Sequence, residues 1–193
     1  MDHKLEAADT RRLLGIARAA VEYGCGPKPA MPQPQPLDTY PEALRQIRGS
    51  FVTLKIGGQL RGCIGTLKAL RPLTEDVMKN AVGAAFRDPR FPPVVKAEAA
   101  DLHFHISVLS PQSALDFDRF EQLLDFLQPG THGLVLAHGN RRATYLPSVW
   151  DLIPDKRAFV EQLCAKAGIP SNTPPQNLEA WTYTVQAFGE PTH

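Results

Sequence analysis

The sequence predicts an α+β fold: a largely antiparallel sheet with flanking helices, in one domain or two intimately packed subdomains. Three observations carry this reading. Helical and strand-like stretches are interspersed without a repeated βαβ unit or any internal repeat. Gly57-Gly58 and Gly139-Asn140 each separate β-rich runs, as the two-residue loops of hairpins do. Leu102 to Leu109 alternates apolar and polar residues in the manner of a half-buried strand.

Taken in order, Leu5 to Tyr23 is a helix, with Leu13, Ala17, Ala20 and Val21 at helical spacing and a stop at Gly24. Pro27, Pro29, Pro32, Pro34 and Pro36 make a short extended connector. A helical turn follows around Pro41 to Ile47. Phe51 to Ile56 is rich in β-branched residues and pairs across Gly57-Gly58 with the stretch Gln59 to Thr66. A two-residue loop sets Val52 opposite Cys63 and Leu54 opposite Arg61, with Phe51 and Ile64 on the other face, whereas a bulge at Gly62 would change this parity. Pro72 to Phe86 is a second helix, whose stripe Val77, Ala81, Ala84 and Ala85 is small enough to lie close on a sheet. Glu75 and Asp76 fall in its first turn, where the dipole favours anions.

Pro89 ends that helix by disfavouring helical backbone at Asp88. Val94 to Ala100 reads as a short helix, and Asp118 to Leu127 as another. Gly133 to His138 and Arg141 to Leu146 form the second hairpin. Asp155 caps a helix running through Ala167 to Gly168. Trp181 to Phe188 is a closing strand.

The totals narrow the function classes. In 193 residues, 21 basic and 20 acidic side chains leave a net charge of +1, so no global field draws in nucleic acid or an anionic membrane. No run approaches the roughly 20 apolar residues of a membrane span, and Met1 to Glu6 has no apolar signal core. The expectation is a soluble cytoplasmic protein. Its three cysteines, 25, 63 and 164, form no C-x-x-C pair, so no zinc knuckle or dithiol redox centre is written here.

The stretch Gln59-Leu-Arg-Gly-Cys-Ile-Gly-Thr66 fits local rules worst. Glycines at 62 and 65 weaken a strand and mark a bulge or a close backbone approach. Cys63 lies between them, and Arg61, two residues back, shares its face at strand period. A cation beside a thiol favours thiolate, the nucleophilic form. Gly62, Gly65 and Thr66 are candidates to present N–H groups to an oxyanion. Equally, the glycines let the Ala-rich helix approach the sheet. Arg87, Asp88 and Arg90 are candidates for an anion clamp, or for a capped turn that pins itself. His132 is the candidate base, ahead of His105 and His138. His103 and His105 lack a third ligand nearby, and neither a metal nor a cofactor is expected.

Leu60-Arg-Gly-Cys-Ile-Gly-Thr66, Ala84 to Pro93, Ile106 to Pro111, His132-Gly133, Leu146-Pro147 and Leu163 to Gly168 together resemble the AMMECR-type domain family. This is the family of the AMME syndrome candidate gene 1 protein, called AmmeMemoRadiSam system protein A in bacteria. The resemblance implies one such domain over residues 5–189, with the Cys63 strand near the junction of its two subdomains. It implies, as partners, a Memo-like protein and a radical S-adenosylmethionine enzyme. It supplies no established reaction. Two departures stand out: His105 replaces a usual acidic residue, and Ser148 replaces a usual glutamine.

Two functional readings follow. In one, Cys63 is a nucleophile or carrier thiol, Arg61 and Arg90 orient an anionic substrate, and His132 assists proton transfer. In the other, the protein is a non-catalytic adaptor or substrate-binding module, the Arg-Gly-Cys strand is structural, and the arginine-bearing turn meets a partner.

Overall fold

The computed structural model describes residues 4–26 and 35–190. The proline connector expected over residues 27–34 lies outside the described residues. Chain contacts gather into two units, one holding the residues up to Leu109 and those from Gln186 onward, the other Ser110–Val185.

In the first unit, α1 (Ala7–Gly24) buries Leu13, Ala17, Ala20 and Val21, the face its periodicity marks out. A four-residue helix, α2 (Glu42–Arg45), follows. The strands are β1 (Ser50–Ile56), β2 (Gln59–Gly65), β3 (His103–Leu109) and β8 (Val185–Gly189), in the spatial order β2-β1-β3-β8. Helix α3 (Leu73–Phe86) packs on β1, β2 and α1. Val52, Leu54, Val77, Ala81, Phe104 and Ile106 meet in one core, each at most 1% exposed. Each fully buried aliphatic or aromatic side chain there contributes roughly 1.5–3 kcal/mol.

The second unit contains β4 (Ser113–Leu115), α4 (Phe120–Phe126), β5 (Gly133–His138), β6 (Arg141–Tyr145), α5 (Lys156–Ala167) and β7 (Glu179–Tyr183). Its sheet runs β4-β7-β5-β6, with every pairing antiparallel. Asp155 caps α5 by accepting the Ala158 N–H at 2.8 Å. Gly168, at φ 70°, ends the helix in the left-handed conformation. Trp150 stacks on Phe159 at 3.6 Å inside this unit's core.

Two sequence expectations change. The Val94–Ala100 segment is turns, with a single 3₁₀ turn at Ala99–Asp101 instead of a helix. The single closing strand is two, because β7 belongs to one sheet and β8 to the other, with Thr184 between them. Glu75 and Asp76 do fall in the first turn of α3, and Asp76 is fully buried there: it accepts the Ser50 N–H at 2.9 Å, the Ser50 hydroxyl at 2.7 Å and the Asn80 amide at 2.9 Å. Among the described helices, none is long and apolar enough to cross a membrane.

Candidate functional site

Gly57 and Gly58 have φ of 55° and 79°, so the hairpin closes with the tight loop their sequence demands. The register is not the one that loop alone implies. Thr53 faces Cys63, Leu54 faces Gly62 and Lys55 faces Leu60, which leaves Arg61 as the extra residue of a bulge. Val52 therefore pairs with Ile64 and Phe51 with Gly65, correcting the expected Val52–Cys63 and Leu54–Arg61 pairs. One inserted residue reverses the facing of everything beyond it.

That reversal turns Gly62 towards α3. A methyl group at 62 would strike the Ala84 carbonyl oxygen, so the glycine is what lets helix and strand touch. At Gly65 the Phe51 ring fills the space a side chain would need. The Thr66 N–H is already bonded to the Ser50 carbonyl at 2.9 Å, and its hydroxyl donates to Asn80 at 3.1 Å.

Strand β2 is a sheet edge, and Cys63 sits where its outward backbone groups would otherwise be unpaired. The Cys63 N–H donates to Asp88 Oδ2 at 2.8 Å. The Cys63 carbonyl accepts from Arg90 Nη2 at 3.3 Å. Arg90 also donates to Asp88 from Nε at 2.9 Å, from Nη2 at 2.7 Å and from its own N–H at 3.1 Å. The Asp88 residue is only 4% exposed. The Arg90 guanidinium, then the two peptide N–H groups, hold its carboxyl well below the usual carboxylate range against the opposing effect of burial. A carboxylate and a guanidinium thus take the place of a neighbouring strand.

The partly buried Cys63 thiol accepts a hydrogen bond from the Thr53 hydroxyl at 3.3 Å. Thr53 in turn faces His105 on β3, so Cys63, Thr53 and His105 form a row across three strands. Partial burial and the Lys55 cation depress the His105 imidazole.

Arg61 is committed elsewhere. Nε and Nη2 grip the Glu98 carboxylate at 2.9 and 3.0 Å, and Nη1 donates to the Pro92 carbonyl at 2.9 Å. Its side chain is 12% exposed. Arg61 and the Val95 N–H lower the Glu98 carboxyl below its usual value. Nothing in local sequence marks Glu98, which lies 37 residues away, as this partner.

Arg87 caps α3 through its backbone N–H, which donates to Gly83 at 2.8 Å, while its side chain is exposed. His132 belongs to the second unit. Its Nδ1 lies 3.3 Å from the Gln128 N–H and 3.1 Å from the Phe126 carbonyl, in the turn after α4. Its carbonyl accepts the Trp150 indole at 2.7 Å. Among the described residues, no group of three His, Cys, Asp or Glu could hold a metal ion. The structure thus brings Cys63, Asp88 and Arg90 into direct contact, and gives Arg61 and His132 partners of their own.

A family model described as AMMECR1 matches residues 14–188. A protein from Methanothermobacter thermautotrophicus is 36% identical over 169 residues, covering 86% of this chain and 85% of its own. One from Thermotoga maritima is 35% identical over 159 residues, covering 80% and 85%. The crystal structure of an uncharacterized protein from Pyrococcus horikoshii superimposes with a TM-score of 0.77 at 30% identity, covering 93% of this chain and 90% of that one.

Proposed function

The chain belongs to the AMMECR1 family, and we propose that it acts as a non-catalytic binding component whose Arg-Gly-Cys strand is scaffold. Its partners in this reading are the Memo-like protein and the radical S-adenosylmethionine enzyme that the family resemblance implies. What carries the reading is the employment of the two candidate arginines. Arg61 spends three donors on Glu98 and Pro92, and Arg90 spends its own on Asp88 and the Cys63 carbonyl. Arg61 cannot activate a thiol or clamp a substrate without first releasing Glu98 and Pro92. Arg90, although exposed and close to the Cys63 thiol, is held to Asp88 through both Nε and Nη2. The arginine that remains for a ligand is Arg87.

A second reading, Cys63 as nucleophile or carrier thiol, rests on its partial exposure and on the Thr53 hydrogen bond. Iodoacetamide labelling separates the two. In a Cys25→Ser/Cys164→Ser background, the binding reading expects Cys63 to alkylate no faster than an ordinary thiol. Rapid alkylation at pH 6 supports the nucleophile.

A further inference from the structure

The end of α3 opens onto a hollow of about 520 Å³. That falls within the roughly 300–1,000 Å³ of small-molecule sites. Its floor is apolar: Val82 and Val94 are buried, Phe86 is half-buried, and the Cys25 thiol faces the Val94 carbonyl at 3.9 Å. Burial pushes the Cys25 thiol up, with Glu98 and Glu22 adding to it, so it stays neutral and fits the apolar lining. Val95, 57% exposed, stands at the mouth.

Two cations, Arg87 and Lys96, also line the hollow, both exposed. Neither side chain has a hydrogen-bond or ion-pair partner among the described residues. Of the two acids whose charge reaches Cys25, Glu98 is held by Arg61 at 2.9 Å, while Glu22 is exposed and only loosely paired with Arg18 at 3.9 Å. The hollow is thus an apolar bowl whose lining carries two cations without ion-pair partners among the described residues. Nearby, Arg61 is held by Glu98 and Pro92, and Arg90 by Asp88.

We infer that this hollow binds a small organic acid, an apolar body seated on Val82, Phe86 and Val94 with a carboxylate or sulfonate held by Arg87 and Lys96. The inference rests on the binding-component reading and names the ligand class for the one arginine that reading leaves available. A guanidinium engages a planar anion through two parallel N–H bonds, and the ammonium adds a second, freely rotating donor. An apolar molecule without the anion would fill the bowl and leave the rim unpaired. Specificity therefore lies in the charged end.

The test uses 8-anilinonaphthalene-1-sulfonate, whose fluorescence rises on leaving water, titrated into the full chain at low and high salt. Saturable one-site binding is expected, weakened about ten-fold in Arg87→Ala/Lys96→Ala and by added salt. Val95→Trp, which fills the mouth from an exposed position, should remove it. The uncharged N-phenyl-1-naphthylamine should bind equally well to wild type and to the double variant. No saturable binding to wild type, or unchanged sulfonate affinity in either variant, overturns the inference. A failure of the binding-component reading would look different: Cys63→Ala would lose turnover while its sulfonate titration stayed that of wild type.

Discussion

The Asp88 carboxylate accepts the peptide N–H of Cys63 at 2.8 Å, tying the turn after α3 to the edge of the sheet. The two most distinctive stretches of the chain, Arg-Gly-Cys and Arg-Asp-Pro-Arg, therefore build one another. Arg90 closes the arrangement by donating to the Cys63 carbonyl and to Asp88 itself.

Asp88→Ala should destabilise the protein by about 2–3 kcal/mol in urea unfolding, because it leaves a peptide N–H and a guanidinium without their acceptor. Asp88→Asn retains one acceptor oxygen and should cost about half as much. Equal losses would mean that the charge carries the whole effect and the remaining neutral oxygen contributes nothing.

The same carboxylate makes stability depend on acid. Its folded pKa is depressed, so its contribution is fully present above the unfolded value of about 3.9 and is lost as pH falls towards the folded one. The gap between wild type and Asp88→Asn should be complete at pH 6 and shrink below about pH 4. Asp76 runs the opposite way. Burial raises its folded pKa, so its contribution is greatest at acid pH and declines as pH rises through the folded value. Unfolding curves from pH 2 to 7 check both signs, and parallel curves for the variants would refute them.

Gly62→Ala should cost about 2–4 kcal/mol, since the new methyl group meets the Ala84 carbonyl oxygen, which belongs to a helix and cannot step aside. Gly83→Ala is the control. Its methyl group would lie 3.0 Å from Ile64 Cγ2, and a helix-interior alanine regains about 0.5–1 kcal/mol of propensity. A net change within about 1 kcal/mol is expected there. Thermal or urea unfolding of the pair decides whether close approach is what the Gly62 position requires.

Arg61 and Glu98 should show a coupling of about 1 kcal/mol in a double-mutant cycle, at the upper end for ion pairs because the contact is bidentate and Arg61 is largely buried. Arg61→Lys should lose most of it, since an ammonium cannot span both carboxylate oxygens. Zero coupling would free Arg61 for another role.

Periodicity made much of the fold legible. The Leu13–Val21 stripe of α1, the alternation of β3 and the Asp155–Gly168 frame of α5 each report a local rule with a local cause. Gly57-Gly58 was equally readable, because only the loop's own backbone decides it. A bulge in β2 was signalled by Gly62, but its seat at Arg61 was not, since the extra residue is held by Glu98 and Pro92, which are remote in sequence. The first-turn position of Asp76 was legible, but its burial was not, since Ser50 draws it inside from 26 residues away. The candidate site was legible as a place, through the glycines around Cys63. The roles of its arginines depended on partners that local spacing does not encode.

The most direct measurement of the central claim is turnover of the proposed system, reconstituted with the Memo-like protein and radical S-adenosylmethionine enzyme that the family resemblance implies, with Cys63→Ala in place of wild type. The alanine keeps the backbone bonds to Asp88 and Arg90 and removes only the thiol and its Thr53 contact. Circular dichroism confirming the fold, with turnover within two-fold of wild type, is the predicted result. A folded variant with no turnover would contradict the account and make Cys63 the reacting group.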